Sequence, residues 1–131
     1  MTGASDPQGR TRLHQVALEG DVSEVSALVA AGVDLGAADK SGATALHLAC
    51  QQGNVEVASL LLEAGAPVDP PDSFGNTPLW RAAFGFQGGD PALIRLLLAA
   101  GADPDAENDS GRSPKDMALT FDRPGIRTVF Q

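Results

Sequence analysis

His14, His47, Cys50 and the Asp103-Pro104-Asp105 run are the residues of this chain whose types suit chemistry. An imidazole serves as a general base or metal ligand, a thiolate as a nucleophile, and closely spaced carboxylates as an oxygen cage for calcium. None of these candidates completes a site. A zinc centre needs three or four convergent ligands. His14 and His47 instead stand at the same point of a repeated pattern, which marks them as structural. Cys50 has no cation or base beside it in sequence to lower its pKa. Asp103 and Asp105 lack the ligand spacing and terminal glutamate of an EF-hand loop. The run Gly85-Phe86-Gln87-Gly88-Gly89 is rich in glycine but lacks the lysine of a phosphate-binding loop. The expectation is a protein without catalytic residues, metal or cofactor.

Composition narrows the class further. A chain of 131 residues, 43% hydrophobic and 20% charged, has the size and apolar content of one folded domain. The single cysteine excludes an internal disulfide framework. Nine Lys and Arg against seventeen Asp and Glu leave a net charge of -8, which argues against a phosphate-backbone partner and for a basic protein surface. The longest apolar runs, Leu60-Leu61-Leu62 and Leu96 to Ala100, fall far below the roughly 20 residues of a membrane helix. Met1 to Arg10 is polar and has no signal-peptide core, so the expected location is cytoplasmic, with no membrane contact.

The elements that would position any functional side chain recur along the chain. Thr11-Arg12-Leu13-His14 returns as Thr44-Ala45-Leu46-His47 and as Thr77-Pro78-Leu79-Trp80. Small residues follow, at Val16-Ala17, Ala49-Cys50 and Ala82-Ala83; then comes a glycine with Asp or Asn, at Gly20-Asp21, Gly53-Asn54 and Gly89-Asp90. An aliphatic stretch then leads to Gly32, Gly65 and Gly101. A degenerate fourth copy begins at Ser110-Gly111-Arg112-Ser113-Pro114, delayed by an insertion in the third. Such periodicity means stacked units, none of which buries its apolar face alone. Each unit reads as two short antiparallel helices. Thr44 is the N-cap of the first, with Pro78 and Pro114 at first helical positions. Asn54 caps the second, Val57, Leu60 and Leu61 share its inner face, and Gly65 closes it as a left-handed cap. Ala66 to Asn76 reads as an extended loop or hairpin turn.

On these motifs the chain resembles the ankyrin-repeat family. The match is carried by Gly42-Ala43-Thr44-Ala45-Leu46-His47-Leu48-Ala49, by Gly53-Asn54-Val55-Glu56-Val57 and by Leu60 to Ala66, with a second copy from Gly75 to Asp103. The resemblance implies an all-α solenoid of stacked helix pairs with hairpin loops, a flexible segment over residues 1–10 and one domain over residues 11–131. Its repeats would span about 11–38, 39–71, 72–107 and 108–131. Repeat one lacks a Gly-x-Thr-Pro-Leu opening, so its hairpin is expected to be missing. Repeat four carries Lys115-Asp116 in place of Leu-His, yet sets Ile126, Val129 and Phe130 where Val57, Leu60 and Leu61 lie. Asp122 or Arg123, then Pro124, would start its second helix. Both ends thus read as caps, and the array as complete, with no attached effector domain.

Function then rests on surface recognition. The resemblance implies a non-catalytic interaction domain that binds a protein through hairpin tips and concave first helices, with an adaptor or scaffold as the alternative. It also extends to small bacterial members of the family, some of them immunity proteins that occlude a cognate toxin. The variable positions by repeat register include Lys40, Ser41, Ala43, Gln51 and Gln52, and in later repeats Phe74, Asn76, Phe84, Phe86 and Arg112. Phe74, Trp80, Phe84 and Phe86 are four of the six aromatics, gathered in repeat three, and Trp80 replaces the repeated histidine. They suit an interface anchor or, alternatively, the packing of the insertion. Between Leu13 and Glu107 stand thirteen acidic and three basic residues. Asp34, Asp39, Asp69, Asp72, Asp103, Asp105, Glu107 and Asp109 would place an acidic edge along successive tips. Such an edge steers a basic partner. Arg112, Lys115, Arg123 and Arg127 make the last repeat positive. A monomer is expected in the absence of a partner.

Overall fold

The computed structural model describes residues 7–121 and 123–130. Among them are seven α-helices and no strand: α1 (Arg12–Glu19), α2 (Val22–Ala30), α3 (Ala45–Gln51), α4 (Val55–Glu63), α5 (Pro78–Gly85), α6 (Ala92–Ala99) and α7 (Pro114–Phe121). A 3-10 turn over Arg127–Phe130 closes the chain. Helices this short are marginal in isolation. Stacking supplies what propensity does not: α1, α3, α5 and α7 pack in sequence order as one layer, and α2, α4 and α6 as a second. Leu13, Leu46, Leu61, Leu79, Ile94 and Leu97 are buried between them. Ala17, Cys50 and Ala83 are buried where successive first helices meet, and their small size permits that approach.

The caps expected at Thr44, Asn54 and Gly65 each have a bonding partner. Thr11 and Thr44 form reciprocal boxes with His14 and His47, and Thr77 precedes Pro78 at the start of α5. In repeat four Asp116 takes over the histidine's place. It accepts from Ser113 N at 3.0 Å, while Ser113 Oγ accepts from Asp116 N at 3.0 Å. Asp21 and Asn54 cap α2 and α4. Asp90, the register equivalent, does not cap α6; Pro91 precedes that helix, and Asp90 pairs with Arg95 instead. Gly65, at φ +95°, ends α4 with Gly65 N donating to Leu62 O and Ala66 N to Leu61 O.

The hairpin tips are joined directly. Ser73 N donates to Ser41 O at 2.9 Å and Asp109 N to Phe74 O at 2.9 Å. The same bond extends to repeat one, where Lys40 N donates to Gln8 O at 2.8 Å. This corrects the expectation that repeat one has no hairpin: Pro7 and Gln8 form a turn, and Gly9, at φ +71°, stands where Gly42 does. Gly9-Arg10-Thr11 already contains the required glycine and threonine, and a first helix residue other than proline is tolerated. Of the segment expected to be flexible, residues 1–6 lie outside the described residues. Arg10 bonds Asp39 through its guanidinium.

Repeat four departs from the expected helix pair. Ile126 and Phe130 are buried as the register required, but the second helix is reduced to the 3-10 turn. Gly125 lies at φ +90°, outside helical space, so helical geometry begins only after it. Asp122, one suggested start, lies outside the described residues. The insertion of repeat three packs against this shortened end. A Cβ on Gly125 would stand 2.7 Å from Gly89 O, and one on Gly88 would touch Pro124.

Candidate functional site

Two rows of polar bonds fix the tips before any functional side chain is placed. Asp39 Oδ1 accepts from Ser41 N and Ala43 N, and its Oδ2 meets Arg10. Asp72 Oδ1 accepts from Phe74 N and Asn76 N, each at 2.9 Å, and its Oδ2 meets Arg81 at 2.7 Å. Burial alone would raise both carboxyls. The hydrogen bonds outweigh it and hold Asp39 and Asp72 below the ordinary aspartate range. These two are therefore turn-forming groups and do not belong to a free acidic edge. Ala43, assigned above to the variable surface, is also buried, with its carbonyl accepting from His14.

The histidines are links between repeats. Thr44 N donates to His47 Nδ1, so Nε2 carries the proton and donates to Asn76 O at 2.8 Å. His14 Nε2 makes the same bond to Ala43 O at 2.8 Å. Burial lowers the His47 pKa to about 4, against the raising influence of the Asn76 bond. Burial also pushes the Cys50 thiol up, away from nucleophilic use.

Trp80 breaks this series. It occupies the histidine position of repeat three, and its buried Nε1 has no hydrogen-bond partner among the described residues. Its ring stacks on Phe84, one turn later on α5, with centroids 5.1 Å apart and planes 14° apart. Phe84 in turn meets the edge of Phe121, at the end of α7, at 5.7 Å and 71°. Phe74 stands at the tip with 67% of its surface exposed, and Phe84 is 51% exposed. Two hollows lie at these rings. One of about 470 Å³ is lined by Phe74, Trp80, Met117 and Phe121 with Asp109 and Arg112. The other, about 380 Å³, is lined by Phe74, Trp80 and Phe84 with Gln51 and Arg81. A solvent-facing aromatic cluster beside hollows is the composition of an interface anchor.

The candidate residues do not all gather there. Phe74, Asn76, Trp80, Phe84, Asp109 and Arg112 border the hollows. Asn76 is half-buried and accepts from Asn108 Nδ2 through Oδ1 at 2.8 Å. Phe86 is separate: it is half-buried, packs on the core and lines a different hollow of about 280 Å³ with Cys50, Val55 and Leu93. Lys40 is exposed at the second tip. Asp103, Asp105 and Glu107 are exposed on the segment between α6 and α7, where Asp103 Oδ1 accepts from Asp105 N. Asp69 Oδ2 accepts from Asp103 N; burial and the Asp103 charge raise the Asp69 pKa despite that bond. Sequence reasoning missed Arg81 and Phe121. Both had a signal: Arg81 replaces Leu48 by register, and Phe121 falls at the register equivalent of Gly85, beside Phe84.

A family model for ankyrin repeats, in three copies, matches residues 5–119. No curated protein matches the chain. No described helix is long and apolar enough to cross a membrane.

Proposed function

The chain belongs to the ankyrin-repeat family, whose repeats are generally protein–protein interaction modules, and from that premise we propose a non-catalytic binding domain for one basic protein partner. The contact surface is the face made by the hairpin tips with α3, α5 and α7. The observation that carries this reading is the cluster of exposed Phe74, Phe84 and Phe121 around the half-buried Trp80, beside two hollows. Exposed carboxylates at Asp103, Asp105, Glu107 and Asp109 and the net charge of -8 support a basic partner and disfavour nucleic acid. The domain works as a cytoplasmic monomer that docks rigidly. Its specific role is to occlude a partner's working site, as an immunity protein does to a toxin. A rigid, acidic face suits that role because little ordering is needed on binding.

The test is affinity capture from the native organism by the wild-type chain and by a Phe74→Ala/Phe84→Ala variant, with partners identified by mass spectrometry. The expected result is a basic protein held by the first and lost by the second, whose activity falls on binding. A partner retained by both would place the interface elsewhere. A partner bound without loss of its activity would make the domain an adaptor.

A further inference from the structure

Three backbone carbonyls occupy the same point of successive tips and differ in what they accept. Ala43 O accepts from Asp39 N at 2.9 Å and from His14 Nε2 at 2.8 Å. Asn76 O accepts from Asp72 N at 2.9 Å and from His47 Nε2 at 2.8 Å. Arg112 O, next in the series, accepts from Asn108 N at 2.9 Å and has no second donor among the described residues. Trp80 holds the position from which that donor would come, and its buried Nε1 is unpaired. A missing bond and an unpaired buried donor both weaken the junction they belong to. The tip itself stays tied, by Asp109 N to Phe74 O and by Asn108 Nδ2 to Asn76 Oδ1. α7 lies along α5 as α5 lies along α3, so this junction differs in its bond more than in its helix packing. Beyond α7 stands only the single turn Arg127–Phe130, where each earlier repeat has a second α-helix.

We propose that Trp80 makes α7 and the closing turn a separately opening unit, which assembles the aromatic face when docked on α5 and dismantles it when undocked. Met117 and Phe121 come from α7, whereas Phe74 and Trp80 come from repeat three, so the larger hollow is present only in the docked state. Whatever fills that hollow therefore holds the unit shut, because it binds one of the two states and not the other. Tryptophan at the histidine position forgoes a bond between repeats and lines the hollow instead. The inference concerns the free chain and does not depend on any partner.

Native-state amide exchange at neutral pH, without urea and in rising urea, tests it on the full chain and on Trp80→His and Trp80→Phe. In wild type, α7 amides are expected to exchange through an opening that leaves α3 and α4 protected and depends little on urea. Trp80→His restores the donor. Trp80 stacks within its own helix on Phe84 and meets α7 across a hollow, so little contact between α5 and α7 is lost with it. Exchange in α7 is expected to slow about fivefold, the worth of one hydrogen bond, with α1 unchanged. The introduced imidazole should show a slowly exchanging Nε2 proton. Trp80→Phe keeps a ring but supplies no donor, and is expected not to slow α7. Wild-type α7 exchanging only together with α3 and α4, through global unfolding, overturns the proposal. So does a histidine variant that fails to fold, leaves α7 exchange unchanged or keeps a freely exchanging ring proton. Equal slowing in Trp80→Phe also overturns it, since the effect would then owe nothing to the restored bond.

Discussion

His47 is held neutral inside the stack, with both ring nitrogens bonded, so protonation is resisted by the fold. Its pKa falls from 6.5 to about 4, which means the unfolded chain binds the proton more readily in the interval between. The stability tied to this group is therefore full above about pH 6.5 and lost as pH falls toward 4. Urea unfolding should show about 2 kcal/mol lost between pH 7 and about pH 4.5, and less than half that loss in His47→Gln. An equal loss in both proteins would assign the pH dependence elsewhere. Asp72 acts in a lower window, because its depressed carboxyl stabilises above its unfolded value of 3.8 and fails below it. Removing it leaves two tip amides without their acceptor and the Arg81 guanidinium with Gln51 Oε1 but no carboxylate. Asp72→Ala should cost about 3 kcal/mol, and Asp72→Asn, which keeps one acceptor oxygen, about half as much. Chemical denaturation at neutral pH checks the order of the two.

At the scale of elements, the tips are where one repeat registers on the next. Gly42 lies at φ +78°, and a Cβ there would stand 2.8 Å from Ser73 N, the donor of the bond between tips. Gly53 has a similar φ of +71° but open space around it. Gly53→Ala should thus cost only the left-handed strain, about 1 kcal/mol, and Gly42→Ala at least about 2 kcal/mol. Equal costs would mean that tip contact contributes nothing. Much of this level was legible in the sequence. Thr44, Asn54 and Gly65 announced caps because each end of a helix needs a specific bonding group, and only a few residue types supply it. The end elements were less so. The first hairpin was overlooked although Gly9-Arg10-Thr11-Arg12-Leu13 follows the same pattern as Gly42-Ala43-Thr44-Ala45-Leu46, which also lacks the proline. The last helix was expected from Ile126, Val129 and Phe130, but its apolar spacing did not reveal that Gly125 would sit at positive φ and leave only one turn. Which carboxylates face solvent was also invisible, since Asp72 and Asp109 are alike as letters and differ only in the bonds around them.

Across the stack, the described helices pack in sequence order on those of adjacent repeats, so local stability should vary along it. The middle repeats are flanked on both sides and tied by histidine bonds. Repeat four has a shortened second element and a tryptophan in place of the link before it. Amide hydrogen exchange should therefore be slowest in α3 and α4 and faster in α7, by about tenfold or more. Uniform protection would indicate a single cooperative unit. The aromatic face sits at this less protected end, where Phe84 of α5 meets Phe121 of α7. The larger hollow could not be foreseen from composition, because its lining brings together residues as far apart in the chain as Phe74 and Phe121.

Docking of a basic protein on the aromatic face can be measured by titration calorimetry of the captured partner against wild type and the folded Phe74→Ala/Phe84→Ala variant, at low and high salt. Binding in the variant is expected to be at least about tenfold weaker, and binding in wild type to fall clearly with salt. Equal affinity for both proteins, unchanged by salt, would place the partner elsewhere than on this face.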